Sequence, residues 1–354
     1  MSSEAGRIVG VASALPEYRY DQRTITAALK HHWRERLDRP ALLDRLHQNA
    51  RVDHRHLAYP LERYEHFQTF GESNAAWIEA AQELGQTALA GALGRAGLER
   101  RDLDALIVVS VTGIASPSLD ARLINRMRLR EDIKRTPIFG VGCVGGALGL
   151  TRAADHVRAY RDQTAALLAV ELCSLTIQGN DLSMANLIST GLFADGAVAA
   201  IVSGARRAAA GPRIAATRSF FYPDTEGIMG WSISERGFEI VLSAHLPDLI
   251  RCRLARDVDG FLASQNLRRA DIGRWIIHTG GPKVLDAIAD SLRLRDRELE
   301  LSWRCLARYG NLSSASVLLV LEDLLISHQP PDGTLGLMLA MGPGFCSELL
   351  LLQW

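Results

Sequence analysis

Neither sign of charge is in excess: Lys plus Arg and Asp plus Glu both number 40, a formal net charge of zero. A strong basic surplus is the usual footprint of a nucleic-acid-binding chain, so its absence argues against that class. The most basic stretch, Arg122 to Arg135, also carries acids and reads as a solvated helix face. Long apolar runs are missing too. The longest, such as Ser316 to Leu325, are broken by acids or turn residues well before a membrane-spanning length. The first residues lack a basic start followed by an apolar core, so no secretory signal is expected and a cytoplasmic protein is. Cysteine is sparse. Cys143, Cys173, Cys252, Cys305 and Cys346 contain no C-x-x-C and are odd in number, which argues against a disulfide framework or a metal site.

What remains is an ordinary globular balance, 47% hydrophobic and 23% charged, over 354 residues. That length suffices for two packed halves or one large unit. The segment from Thr24 to Arg101 is mostly helical in pattern, with Ser73 and Asn74 as caps for a helix from about Ala75 to Ala96. Short β-branched runs that look buried on both faces follow at Ala105, Pro137, Ala165 and Ala197, separated by helical patterns, which suggests a sheet with crossover helices. The theme recurs from Trp275 through a helix at Pro282–Leu292 to strands at Leu335 and Glu348. Residues 205–211 are the best boundary, dividing the chain into 1–208 and 209–354. Each part has a strand-then-buried-helix junction, at Cys143 and at Asn311, a hint of two homologous halves.

Gly140-V-G-C-V-G matches the glycine pattern of a dinucleotide site. It lies deep in the chain, and the nearest strand-end acid, Glu171, falls later than such a site requires. The same geometry suits a nucleophile. A Cys143 thiolate at a helix start would feel the positive end of the helix dipole, lowering its pKa. A buried, inert cysteine fits equally well at this point. Trp275-I-I-H-T-G-G-P-K puts His278 at a strand end, before a Pro-initiated helix. Tyr309-G-N-L-S-S-A-S puts Asn311 at a helix start, where it can also be an N-cap. Ala340-M-G-P-G-F sets a sharp turn, Gly342, Pro343 and Gly344, between two apolar strands.

The ordered set of Cys, His, Asn and G-P-G resembles the chalcone-synthase-like type III polyketide synthases of the thiolase superfamily. The match runs through G-C-V-G-G-A-L-G-L, G-L-F-A-D-G-A, H-T-G-G-P, Y-G-N-L-S-S-A and G-P-G. The resemblance implies an α/β, five-layered αβαβα thiolase-like fold of two similar halves, and a homodimer. It implies that Cys143 takes an acyl group from a CoA thioester. His278 and Asn311 would hold the malonyl-CoA carbonyl so that decarboxylation leaves a stabilised enolate, with His278 also pairing the thiolate. Acyl-CoA and malonyl-CoA would be substrates, with no metal or redox cofactor. Ser313 and Phe193 fall in its substrate cavity, and Arg51, Arg55, Gly280 and Gly281 near its CoA site.

Several positions depart from the plant pattern. A second gatekeeper Phe becomes Ile240, a cavity glycine becomes Trp231, and a threonine becomes Cys173, while Thr176 is retained. The methionine that reaches across the dimer becomes Ser116. The stretches E-L-C-S-L-T, M-G-W and A-Y-P-L-E-R-Y look like bacterial alkylresorcinol and alkylpyrone synthases. Ile240 and Ser116 are smaller than what they replace, so the expected starter is a medium- or long-chain fatty acyl-CoA, cyclised to an alkylpyrone or alkylresorcinol. Trp231 pulls the other way by filling space the plant enzymes leave for the growing chain, unless it forms one wall of a redirected tunnel. The competing classes are a KAS III-like ketoacyl synthase, a nicotinamide oxidoreductase and a non-catalytic binding module.

Overall fold

A computed structural model describes residues 5–207 and 210–354. The first part of the chain forms β1 (Arg7–Ala14), β2 (Tyr18–Asp21), α1 (Gln22–His32), α2 (Pro40–Asn49), β3 (His54–Leu57) and α3 (Phe70–Ala96). It continues with β4 (Ala105–Val109), α4 (Leu119–Met127), β5 (Lys134–Ile138), α5 (Gly145–Ala159), β6 (Thr164–Leu172), α6 (Met184–Leu192) and β7 (Asp195–Ser203). The second part forms β8 (Arg213–Phe221), β9 (Met229–Ser234), β10 (Gly237–Leu242), α7 (Leu246–Ala263) and β11 (Arg274–Ile277). It ends with α8 (Pro282–Leu292), α9 (Asp296–Tyr309), α10 (Ser316–Ser327), β12 (Leu335–Gly342) and β13 (Cys346–Gln353).

Nine strands join in the order β11-β12-β13-β8-β1-β7-β6-β4-β5. At the centre β8 and β1 share a single register pair, Arg7 with Arg213, so the sheet is two sheets meeting at a seam. Outward from the seam, β1–β7 and β7–β6 are antiparallel and β6–β4 is parallel. On the other side β8–β13 and β13–β12 are antiparallel and β12–β11 is parallel. The same succession therefore occurs twice. In each half a 3₁₀ turn, Gly142–Val144 or Ser313–Ala315, leads into a buried helix, α5 or α10. The expected boundary at Ala208/Ala209 lies outside the described residues, between β7 and β8.

Burial explains why these segments take these forms. β6 and β7 are buried at every position, as strands covered on both faces must be. The helix α10, S-V-L-L-V-L-E-D-L-L-I-S, has almost no polar face because it lies between two sheets. Its acids are neutralised: Glu322 pairs with Arg95 at 2.6 Å and Asp323 with Arg304 at 2.6 Å. Leu150, Ala154 and Val157 of α5 and Val317, Leu318 and Leu321 of α10 share one core with strands of both sheets. A second core lies between the first sheet and α3 and α4, and a third between the second sheet and α7 and α8. Helix, sheet, helix, sheet, helix: the five layers are those expected.

Two local expectations fail for identifiable reasons. α3 starts at Phe70, not Ala75, because Thr69 and Glu72 form a reciprocal capping box, a device contributing about 1 kcal/mol. Asn74 instead exchanges hydrogen bonds with the Ile114 backbone. The segment from Thr24 to Arg101 is mostly helical, as expected, through α1, α2 and α3, with the short β3, which pairs with β2, the one strand inside it. The strand read as buried at Pro137 is β5, an edge strand beginning at Lys134 and largely exposed. The β9–β10 hairpin was not foreseen; it is held by Trp231 and Phe238, whose ring centroids lie 5.9 Å apart.

Candidate active site

Cys143 sits in the 3₁₀ turn before α5, 5% exposed, with Sγ 3.5 Å from Ser313 Oγ of the matching turn before α10. The two halves meet here because their glycines leave no side chain between them. A Cβ on Gly142 would lie 2.8 Å from Pro343 Cγ, and one on Gly145 would lie 3.1 Å from Ser314 Cβ. A Cβ on Gly146 would overlap the Ser314 carbonyl oxygen. At Gly142, Gly145 and Gly146 the turn is thus filled by protein, including the Gly342–Pro343 turn, and not open to a pyrophosphate, although Gly140 has free space beside it. The dinucleotide reading fails on that packing.

Asn311 is tied into the site from both sides. Its N–H donates to Leu192 O at 2.9 Å and its carbonyl accepts from Ala194 N at 2.9 Å, bridging it to Phe193. Its side-chain Oδ1 accepts from Ser313 N at 2.8 Å and Ser316 Oγ at 3.3 Å. With the oxygen so held, the amide is oriented by its hydrogen bonds and the Nδ2 hydrogens are left for a ligand. His278 follows β11 and is fixed by its own backbone, N–H to Leu339 O at 3.0 Å. Neither of its ring nitrogens has a partner, although the residue is only 5% exposed. Buried polar atoms are normally paired, so both nitrogens are free for something that enters.

Cys143, His278 and Asn311 line one cavity of about 500 Å³, together with Phe193, Gly280 and Gly281. The rest of the lining is mainly apolar, from α6, α7 and the neighbouring strands, for example Met184, Ile188, Leu246 and Ile250. Lys283, at the first turn of α8, also lines it and was not foreseen; a cation within an H-x-G-G-P-K run was the available signal.

The resting electrostatics differ from expectation. Burial pushes the Cys143 thiol up to about 12, the Glu171 charge adding to it and the Ser313 hydrogen bond only partly opposing. Burial also lowers His278 to about 4. Desolvation outweighs the helix end, and at neutral pH the cavity holds a neutral thiol and a neutral imidazole. The expected thiolate–imidazolium pair is absent, since the His278 nitrogens bond nothing. Near Cys143, and acting on it electrostatically, sits Glu171, fully buried and unremarked in the sequence except as a strand-end acid. It accepts from Val111 N at 3.1 Å, Thr112 Oγ1 at 2.9 Å and the Ser314 hydroxyl, while burial pushes its carboxyl up to about 7.

The remaining expected residues divide. Cys173, Thr176, Phe193, Trp231 and Ile240 meet around a crevice of only about 10 Å³, so the room foreseen beside Ile240 is closed. Trp231 fills it. Ser116 is exposed in the loop before α4 and lines neither this crevice nor the cavity. Arg51 is exposed, stacked over the Trp303 ring at 4.9 Å, next to Asn49 and Ala50 of the cavity wall. Arg55 does not belong with it: it is 1% exposed and turned away from the Cys143 cavity. Among the described residues, no cluster of His, Cys, Asp or Glu is arranged to hold a metal, and no helix is long and apolar enough to cross a membrane.

Comparison with known proteins agrees with this geometry. Residues 21–216 match the FAE1/Type III polyketide synthase-like protein family, and residues 213–354 match the C-terminal domain of chalcone and stilbene synthases. The chain is 51% identical to 1,3,6,8-tetrahydroxynaphthalene synthase of Streptomyces peucetius subsp. caesius, over 98% of this chain and 93% of that one. It is 32% identical to phloroglucinol synthase of Pseudomonas fluorescens, over 96% and 98%. The crystal structure of the Streptomyces coelicolor A3(2) tetrahydroxynaphthalene synthase superposes with a TM-score of 0.93 at 30% identity, covering 98% of this chain and 99% of that one. The chain belongs to the type III polyketide synthases, the thiolase-like acyltransferases that its motifs, its duplicated fold and its Cys–His–Asn cavity jointly describe.

Proposed function

We propose that Cys143, His278 and Asn311 carry out repeated decarboxylative condensation of malonyl-CoA. The observation that carries this is the unpartnered His278 ring, with the Asn311 amide oriented by bonds to its oxygen, lining the cavity that holds Cys143. The Cys143 sulfur attacks the starter thioester while a His278 nitrogen takes the thiol proton, which leaves with the CoA thiol. Malonyl-CoA then places its thioester oxygen against the His278 and Asn311 donors. The bond to CO₂ breaks, its electron pair forms the enolate, and preorganised donors stabilise the oxygen's charge. The enolate carbon attacks the acyl-Cys143 carbonyl and the sulfur departs. The attacking pairs come from the Cys143 sulfur and from the broken malonyl C–C bond, and the proton is carried by His278, so the scheme needs neither metal nor redox group. We assign the phosphates of CoA to Lys283, which lines the cavity, and to Arg51, which follows Asn49 and Ala50 of its wall.

For the starter, support favours malonyl-CoA itself. The relatives above are named for tetrahydroxynaphthalene and phloroglucinol. These are aromatics with hydroxyls on alternating carbons and no alkyl branch, as cyclised malonyl-derived units alone would give. The closed crevice at Trp231 and Ile240 points the same way. The apolar lining of the Cys143 cavity favours the second reading, a fatty acyl starter giving an alkylpyrone or alkylresorcinol. Each buried methylene would contribute about 0.8 kcal/mol. Incubation with malonyl-CoA alone, and with acyl-CoA starters from acetyl to palmitoyl, separates them by product mass. A polyhydroxylated aromatic from malonyl-CoA alone supports the first. Turnover only with long acyl starters overturns it in favour of the second.

A further inference from the structure

Gln22 opens α1 and His47 stands in the last turn of α2, both buried. They meet α6 at its final turn, where helix carbonyls have no partner further along the helix. Gln22 Nε2 donates to Gly191 O at 2.6 Å and to His47 O at 3.2 Å. Two carbonyls on one side of the amide set its orientation, nitrogen toward them. The His47 ring rests on the same turn, since a Cβ on Gly191 would overlap His47 Cδ2.

His47 also joins hydroxyls of two helices. Nδ1 lies 2.8 Å from Thr26 Oγ1 on α1, and Nε2 lies 3.4 Å from Thr190 Oγ1 on α6. The Thr26 hydroxyl already donates to Gln22 O at 2.6 Å, so Nδ1 carries the proton and donates to it. Burial lowers the ring to about 4, the Arg55 charge adding to this, so at neutral pH Nε2 is a bare acceptor. The Thr190 hydroxyl faces it and has Leu187 O, at 3.0 Å, as its other acceptor. The apolar core beside these contacts is small, built around Trp33, Leu43 and Leu187. Polar side chains therefore carry much of the fixing of α6 here.

The reaction scheme does not use this cluster, yet it ends one residue from the site. Leu192 follows Gly191, and its carbonyl accepts the Asn311 N–H at 2.9 Å. Phe193 comes next and bridges to Asn311. Thr190 to Phe193 is one continuous strip of backbone, clamped by Gln22 and His47 at one end and holding Asn311 at the other. Cys143 hangs on the turn before α5 and keeps its place when that strip moves.

We propose that Gln22 and His47 are positioning residues for Asn311: they fix the last turn of α6, and through it the backbone that aims the Asn311 amide at the malonyl thioester oxygen. This rests on the reading of Asn311 as an enolate donor.

The test follows CO₂ release from malonyl-CoA beside the alkylation of Cys143 by iodoacetamide. Gln22→Met and His47→Leu keep most of the buried volume while removing the polar contacts. In His47→Leu both threonine hydroxyls retain their carbonyl acceptors, so no donor is stranded; Gln22→Met reports on the same turn from a different helix. CO₂ release should fall about tenfold in each, part of the 10²-fold that a misplacement of about 1 Å can cost, while alkylation stays within about twofold of wild type. In an Asn311→Ala background neither substitution should cost more than about twofold, because an absent amide cannot be misaimed. A merely structural role would lower both readouts together and would add to the Asn311→Ala loss. Parallel loss of CO₂ release and alkylation, additive losses in that background, or unchanged CO₂ release in both variants would overturn the proposal. Asn311→Ala releasing CO₂ at the wild-type rate would overturn the donor reading itself, and this positioning role with it.

Discussion

Replacing Gly146 with Ala tests whether the contact between the two halves sets the catalytic geometry. The added Cβ would overlap the Ser314 carbonyl oxygen and come within 3.0 Å of Val317 Cγ1. Backbone is the obstacle, so no rotamer change relieves it. To restore ordinary van der Waals contact, the start of α5 and the Ser313–Ala315 turn must separate by roughly 1 Å. That displacement parts Cys143 from Ser313 and Asn311. A misplacement of about 1 Å can cost 10²-fold in rate, or about 2.7 kcal/mol of barrier. Overpacking at such a contact costs about 1–3 kcal/mol of stability. Gly140→Ala is the control. Gly140 has φ +86 but open space beside it, so strain of about 1–2 kcal/mol is expected without displacement of the site. Condensation of malonyl-CoA, measured by kcat/KM beside urea unfolding, reports both effects. A folded Gly146→Ala enzyme within threefold of wild type would refute the reasoning.

Three further outcomes are expected. Asn311→Ala removes one enolate donor, so malonyl-CoA decarboxylation should fall by about 10²–10³-fold while acyl loading of Cys143 survives better; equal loss of both, by mass spectrometry of the acyl-enzyme, would count against the division of roles. Glu171 has its pKa raised from 4.5 to about 7, so its contribution to stability is fully present below the lower value and is lost as pH rises through the upper one. Urea unfolding should show Glu171→Gln gaining on wild type by up to about 3 kcal/mol between pH 4.5 and 8, and a flat difference would remove Glu171 as the source. We also expect a homodimer, because Ile114, Phe139 and Ile233 expose large apolar surface; light scattering that gives a stable 38.8 kDa species at micromolar concentration would contradict it.

How much of this was legible in the chain differs residue by residue. Cys143 and Asn311 could be placed at helix starts because glycine and small residues interrupt apolar runs there, a strictly local signal. The Thr69–Glu72 box was equally local and simply stood five residues before the helix was expected. Arg55 shows the opposite limit: period-two alternation with Leu57 gives its direction, but only tertiary neighbours show that two nitrogens go unpaired. The closed crevice at Trp231 was half legible: a Trp in place of a cavity glycine fills space, but the sequence does not say which space. Substituting Ile for Phe frees space only if nothing else takes it, and Trp231 comes from the partner strand of the hairpin, directly across from Ile240.

The burial of α5 and α10 between two sheets has a consequence for how the enzyme can age or be inactivated. Many enzymes carry their reactive groups on loops that open locally without unfolding the whole. Here Cys143 and Asn311 are rooted at the ends of the two most enclosed helices. Backbone amides along these helices should be the last to exchange with deuterated solvent, at a rate set by global unfolding. Any reagent too large for the cavity must then wait for the entire fold to open before it meets the sulfur. Loss of activity on heating should accordingly coincide with loss of the fold, with no inactive, still-folded stage preceding it.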